Sequence, residues 1–164
     1  MEKKIVLVQG AFDITNAGHI KALRRCKSEG DYLIVALNSD RLLMEYKARK
    51  ACIPYCQKKI ILEGIRYVDK VVCCDKFSPL YLLKKFDVDV YCYTQEWEIA
   101  KEAELIYMRE KGGRCVELPR YKNIMSTGKI KMALIEEAKT KVGFDDTAYI
   151  NAYVDKHLAS LKQS

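Results

Sequence analysis

The chain is poor in histidine and has no long apolar run. His19 and His157 are its only histidines among 164 residues. A closed zinc site needs four nitrogen or sulfur ligands. Cys52 and Cys56 lie near each other, but no second pair follows at ligand spacing, so no metal ligand is assigned. No apolar stretch approaches the ~20 residues that cross a bilayer. The opening MEKKIVLVQG has two lysines before an apolar run, as a leader would. That run is short and lacks a small-residue cleavage site, so it reads as a buried first strand. Without a leader, the odd set of seven cysteines reads as reduced thiols of a cytoplasmic protein: Cys26, Cys52, Cys56, Cys73, Cys74, Cys92 and Cys115. Internal repeats, low-complexity tracts and linkers are missing. So is one dense basic face. The net charge is +7, yet the lysines are spread out, with small clusters at 47–50, 58–59 and 129–131. That spread excludes a nucleic-acid or membrane-surface partner from the reading. It suits a small phosphorylated substrate, which needs only a few convergent cations.

What is present is an ordinary globular composition, 49% hydrophobic and 31% charged, in a length suited to one domain. Short apolar runs alternate with helical patterns. Strands are expected at 5–10, 32–38, 68–74, 88–93 and 114–119. Helices are expected at 17–28, after Pro54, after Ser78-Pro79, at 96–111 up to Gly112-Gly113, and at 125–142. This alternation predicts an α/β fold: a Rossmann-like parallel five-stranded sheet with helices on both faces, plus a C-terminal helix. Ligands of such sheets bind beyond the carboxyl ends of the strands, near the switch in strand order. The loops after residues 10, 38, 93 and 119 are therefore the expected site walls. Residues 1–142 form the expected catalytic domain and 143–164 a helical extension. In that extension Tyr149, Tyr153, His157 and Leu161 share one face, which reads as packing on the domain, with a subunit contact or a lid as the alternative.

The stretch VQGAFDITNAGH, residues 8–19, looks like a phosphate cradle. Gly10 lets a ligand approach backbone, and Gly18 and His19 open a helix whose unpaired amides attract phosphate. Asp13 is placed to orient the loop or hold a cation.

GAFDITNAGH resembles the G-x-F-D-x-x-H-x-G-H signature of the nucleotidyltransferase superfamily. IRYVDKVV at 65–72, YTQEWE at 93–98 and PRYKNIMSTGKIK at 119–131 resemble R-Y-V-D-E-V, G-D-D-W-E and P-R-T-E-G-I-S-T-T-K-I-K of its cytidylyltransferase branch. The resemblance implies transfer of CMP from CTP to a small phosphorylated alcohol, such as glycerol 3-phosphate, with release of pyrophosphate. Magnesium would arrive with the triphosphate, and two copies of the chain would pair. It places Gly10, Ala11, Phe12, Asp13, Gly18, His19, Arg66, Thr94, Glu96, Trp97, Arg120, Ser126 and Thr127 along the nucleotide. Lys47, Arg49 and Lys58 would meet the second substrate. His19, Arg120, Lys47 and the residue at position 16 would carry the chemistry. Plainer roles stand beside these: a solvated loop for Lys47 and Arg49, a helix cap for Ser126 and Thr127, a core or rim aromatic for Trp97. Arg66 is expected between an apolar helix and a strand, where an unpaired charge is costly.

Position 16 departs from the pattern. Asn16 replaces a histidine, and a neutral donor replaces a charged one; charge-assisted bonds are roughly twice as strong. Losing one such transition-state contact costs roughly 10²–10³ in rate. Thr94 and Gln95 stand where the pattern has G-D, and one extra residue lengthens the Thr127-Gly128 loop. Two other readings stay open. NSD at 38–40, FSPLYLLKKFDVDV and REKGGRCVELP also resemble heptose-phosphate adenylyltransferases, which use ATP. A catalytically impaired homologue that binds nucleotide for regulation or assembly is the other.

Overall fold

The computed structural model of the protein describes residues 3–48, 50–94, 102–121 and 124–141. The elements run β1 (Ile5–Gly10), α1 (Ala17–Lys27), β2 (Tyr32–Asn38), α2 (Asp40–Lys47), α3 (Tyr55–Glu63), β3 (Lys70–Cys74), α4 (Leu80–Lys85), β4 (Val90–Thr94), α5 (Glu102–Glu110), β5 (Arg114–Leu118) and α6 (Thr127–Lys141). All five strands are parallel, in the order β3-β2-β1-β4-β5. The order turns back at β1, between β2 and β4, so a crevice opens at the carboxyl ends of β1 and β4.

β1 and β2 read as unbroken apolar runs because both their faces are covered. On one face Val6, Val8, Leu33, Val35 and Leu37 pack against Leu23 and Cys26 of α1 and Leu62 of α3. On the other, Leu7, Ile34 and Ala36 pack against Leu82 and Leu83 of α4 and Met108 of α5. Burying one such side chain contributes about 1.5–3 kcal/mol. Carboxylates start the strands. Asp89 accepts from the Ile5 amide at 2.7 Å and Asp69 from the Leu33 amide at 2.7 Å. Desolvation opposes the charged form of Asp69, but the Lys27 ammonium and the Leu33 amide outweigh it, and its carboxyl lies below the usual range.

β3 and β4 each begin two residues later than expected. Val88 is taken by the end of α4: Asp87 turns left-handed (φ 46), and the Val88 amide donates to Leu83 O at 3.1 Å. That arrangement satisfies carbonyls the helix would otherwise strand. Val68 is likewise tied back, to Ile65 O at 2.9 Å. α5 ends the same way as α4 at Gly112 (φ 76), with the Gly113 amide on Met108 O at 2.8 Å. Helix α2 was not expected. Ser39 caps it by accepting from the Leu42 amide at 3.1 Å, and Leu42 and Leu43 bury. All seven cysteines are free thiols; Cys26, Cys74 and Cys92 are buried and the other four exposed. Among the described residues no helix is long and apolar enough to cross a membrane. The proposed helical extension at 143–164 lies outside the described residues.

Candidate active site

The loop between β1 and α1 is built under strain. Phe12 and Ile14 both hold left-handed backbone, φ 48 and 54, which costs of order 1–3 kcal/mol for a residue with a side chain. Burial offsets it: Phe12 is only 7% exposed within the core. Its ring lies over Gly10, where a Cβ would stand 2.8 Å from Phe12 Cε2. Gly10 is thus required by the fold of the loop as well as by any ligand.

Asn16 is the cap of α1. Its Oδ1 accepts from the Gly18 amide at 2.9 Å. Its Nδ2 faces Ile14 O at 3.1 Å and Thr127 Oγ1 at 3.4 Å. Both amide hydrogens therefore have acceptors within the protein. His19 answers in the same turn: its Nδ1 accepts from the Asn16 amide at 3.2 Å. That bond puts the proton of a neutral ring on Nε2, facing away from the cap. Burial pushes the imidazole below its ordinary value, against the opposing pull of Asp13. The ring packs 5.3 Å from that of Phe12. No acidic residue lies in the first turn of α1, so no side chain of that turn offsets the positive end of the helix.

Asp13 is the organiser of the site. It is 3% exposed. One carboxylate oxygen accepts from the Cys52 and Ile53 amides at 2.9 and 3.2 Å, and the other meets Lys131 Nζ at 3.2 Å. Its carbonyl accepts from Thr127 Oγ1 at 2.9 Å. One residue thereby ties the cradle to the chain after α2 and to the start of α6. Lys131 was not singled out from the sequence, although it shares a helix face with Thr127 at i, i+4 spacing.

The remaining candidates divide. Ala11 lies in the strained loop. Thr94 ends β4 beside β1, in register with Leu118. Arg120 is exposed just past β5, on the same rim of the sheet. Ser126 Oγ accepts from the Lys129 amide at 3.3 Å, the helix-cap role. Lys47 is exposed and ends α2, with Nζ 5.5 Å over the Tyr46 ring. Two candidates lie apart from these. Lys58 is 0% exposed, and its ammonium is taken by Asp40 at 3.1 Å, so no phosphate reaches it in this arrangement. Arg66 is exposed, stacked 5.7 Å from Tyr67. It precedes β3 at the amino ends of the strands, away from the cradle, so its charge is solvated and not buried. Arg49, Glu96 and Trp97 lie outside the described residues. Among the described residues no cluster of three or more His, Cys, Asp or Glu is placed to hold a metal.

What the arrangement offers is an anion site: a helix start, a neutral imidazole donor and a glycine-lined approach at the strand switch. The sequence profile of the family described as cytidylyltransferase-like matches residues 7–132. Glycerol-3-phosphate cytidylyltransferase of Staphylococcus aureus is 36% identical over 137 residues, covering 80% of this chain and 95% of its own. The Bacillus subtilis protein of the same name is 37% identical over 138 residues, covering 78% and 95%. Bifunctional protein HldE of Geobacter metallireducens is 35% identical over 133 residues; the match covers 78% of this chain and 26% of HldE. In fold, the lipopolysaccharide core biosynthesis protein of Thermoplasma volcanium superposes with a TM-score of 0.64 at 17% identity, covering 74% of this chain and all of that one. With the profile spanning most of the sheet and both walls of the cradle, the chain belongs to the cytidylyltransferase-like family.

Proposed function

We propose that the protein transfers CMP from CTP to glycerol 3-phosphate in the cytoplasm and releases pyrophosphate. The single observation that carries this is the neutral His19 imidazole, fixed by the Asn16 amide with Nε2–H presented at the start of α1. A phosphate oxygen of the acceptor attacks the α-phosphorus of CTP. A new P–O bond forms, the bond from the α-phosphorus to the bridging oxygen breaks, and pyrophosphate leaves with that electron pair. No covalent enzyme intermediate is needed; the protein positions the partners and stabilises growing negative charge. His19 donates to the phosphate chain, and Lys47 and Arg120 add positive charge on the rim. Thr94 and Ser126, with Glu96 and Trp97, border the nucleotide in this reading. Magnesium enters bound to the triphosphate as part of the substrate. The acceptor is supported by the two relatives named glycerol-3-phosphate cytidylyltransferase. Two copies of the chain pair in this proposal, which sedimentation would weigh.

A second reading, ATP with a sugar phosphate such as heptose phosphate, is favoured by the HldE match. Pyrophosphate release, measured with four nucleotides against a panel of phosphorylated acceptors, separates the readings. CTP-dependent turnover with glycerol 3-phosphate is the expected result. ATP-dependent turnover with a sugar phosphate moves the assignment to the second reading. Triphosphate binding with no turnover on any acceptor marks a nucleotide-binding homologue instead.

A further inference from the structure

A carboxylate inside a phosphate cradle works against the anion that the cradle is built to hold. Asp13 stands between the left-handed residues Phe12 and Ile14 of the β1–α1 loop, with its side chain almost wholly buried. The fold needs it there, because Oδ1 takes the Cys52 and Ile53 amides at 2.9 and 3.2 Å. Solvent screens a charge so placed only weakly. The same charge acts on His19, drawing a proton toward the ring against the larger, opposite effect of burial. A second proton would sit on Nδ1, the atom that accepts from the Asn16 amide at 3.2 Å. Two donors would then face each other, and the ring would turn out of the cap. Left unbalanced, Asp13 would oppose both the triphosphate and the neutral imidazole.

Lys131 supplies the balance. Its Nζ lies 3.2 Å from Asp13 Oδ2, and its side chain is half-buried, so the attraction is little screened. It comes from α6, one turn past Thr127, whose Oγ1 donates to Asp13 O at 2.9 Å and stands 3.4 Å from Asn16 Nδ2. Lys131, Thr127, Asp13, Asn16 and His19 are thus joined through contacts of 3.4 Å or less. Other charged groups on the flanking elements are engaged elsewhere or exposed. Lys21 of α1 lies 5.7 Å over the Tyr121 ring, and Lys47 of α2 lies over Tyr46. Asp40 of α2 is paired with Lys58 of α3. Arg120 past β5, and Lys129, Glu136 and Glu137 of α6, are exposed. Asp13 is the charge that shifts the ring.

We infer that Lys131 is a positioning residue: as the countercharge of Asp13, it lets an acidic loop hold a triphosphate beside a neutral imidazole. This inference rests on the transfer reaction proposed above. Lys131 acts through Asp13 and needs no contact with either substrate. The test compares the native chain with Lys131→Met, Lys131→Arg and the double variant Asp13→Asn/Lys131→Met. Proton NMR reads the His19 midpoint, its signal assigned by its loss in His19→Ala. Turnover of CTP with glycerol 3-phosphate is followed against pH, with kcat and KM read separately. In Lys131→Met the His19 midpoint rises, the acid limb of kcat moves up with it, and the KM for CTP increases. Lys131→Arg keeps the native values. Adding Asp13→Asn to Lys131→Met brings the midpoint back down and recovers the KM, since the unbalanced charge is gone while an oxygen remains for the Cys52 and Ile53 amides. A merely structural clasp behaves differently: a loosened α6 exposes the ring, and the midpoint stays raised in the double variant. Lys131→Gln keeps a donor for Asp13 without the charge, shows the same rise, and serves where Lys131→Met does not fold. A midpoint that does not move in a folded variant, or that Asp13→Asn fails to restore, overturns the countercharge while leaving the transfer reaction standing. A midpoint that rises and recovers, in a protein whose native chain turns over no acceptor with CTP or ATP, overturns the transfer reaction and leaves the countercharge standing.

Discussion

At the scale of single residues, position 16 and position 19 divide the work of the cradle. Asn16 has its oxygen on the Gly18 amide and its nitrogen on Ile14 O and Thr127, so its first role is to start a helix. Asn16→Ala should cost about 1 kcal/mol of stability, read as a lower urea midpoint, while turnover falls less than for His19. His19→Ala removes the imidazole donor, and kcat should drop roughly 10²–10³. The protonation of His19 can be followed directly. Burial lowers its pKa, so the folded chain holds the ring neutral at pH values where the unfolded chain already protonates it. The linked stability is complete above the unfolded value of about 6.5 and falls as pH drops below it. Proton NMR should place the His19 midpoint below 6.5, and a midpoint at or above that value would contradict the buried, Nδ1-bonded ring. None of this division was visible in the letters NAGH, because a cap and a phosphate donor use the same residue types.

At the scale of elements, Asp13 couples three stretches that the sequence keeps apart. Asp13→Ala strands the Cys52 and Ile53 amides and the Lys131 ammonium. A loss of about 3 kcal/mol is expected, with faster hydrogen exchange at those two amides. Lys131→Met should loosen α6 while leaving the Cys52 and Ile53 amides protected, which distinguishes the two halves of the clasp. The strands were legible beforehand because buried parallel strands are continuous apolar runs, and Gly112 and Pro54 announced where helices stop and start. Helix α2 was not, since it spans eight residues and buries Leu42 and Leu43 alone, leaving Met44 exposed. Lys58 showed why a charged run misleads: its partner Asp40 stands eighteen residues earlier, and nothing local signals that the ammonium is buried. Arg66 differs in the opposite sense: a polar residue between apolar segments also fits an exposed turn, and its side chain is exposed where burial was expected.

Across the whole molecule, acid stability should follow the carboxylates that start the strands. The carboxyl of Asp69 is held below its ordinary value, so its contribution is present above the unfolded pKa, about 3.9, and is lost as pH falls through the lower folded one. Asp69→Asn should therefore lower the melting temperature at pH 7 and lose most of that difference near pH 2; because Asp69 is partly exposed, the effect is modest. The contacts that complete the cradle have a temporal consequence. Asp13 reaches across 118 positions to Lys131 and across 39 to Cys52. During synthesis, a ribosome must extrude nearly the entire described chain before the clasp can close. Nascent polypeptide stalled ahead of α6 would carry its β1 and β2 without a finished cradle, its Asp13 carboxylate still lacking Lys131.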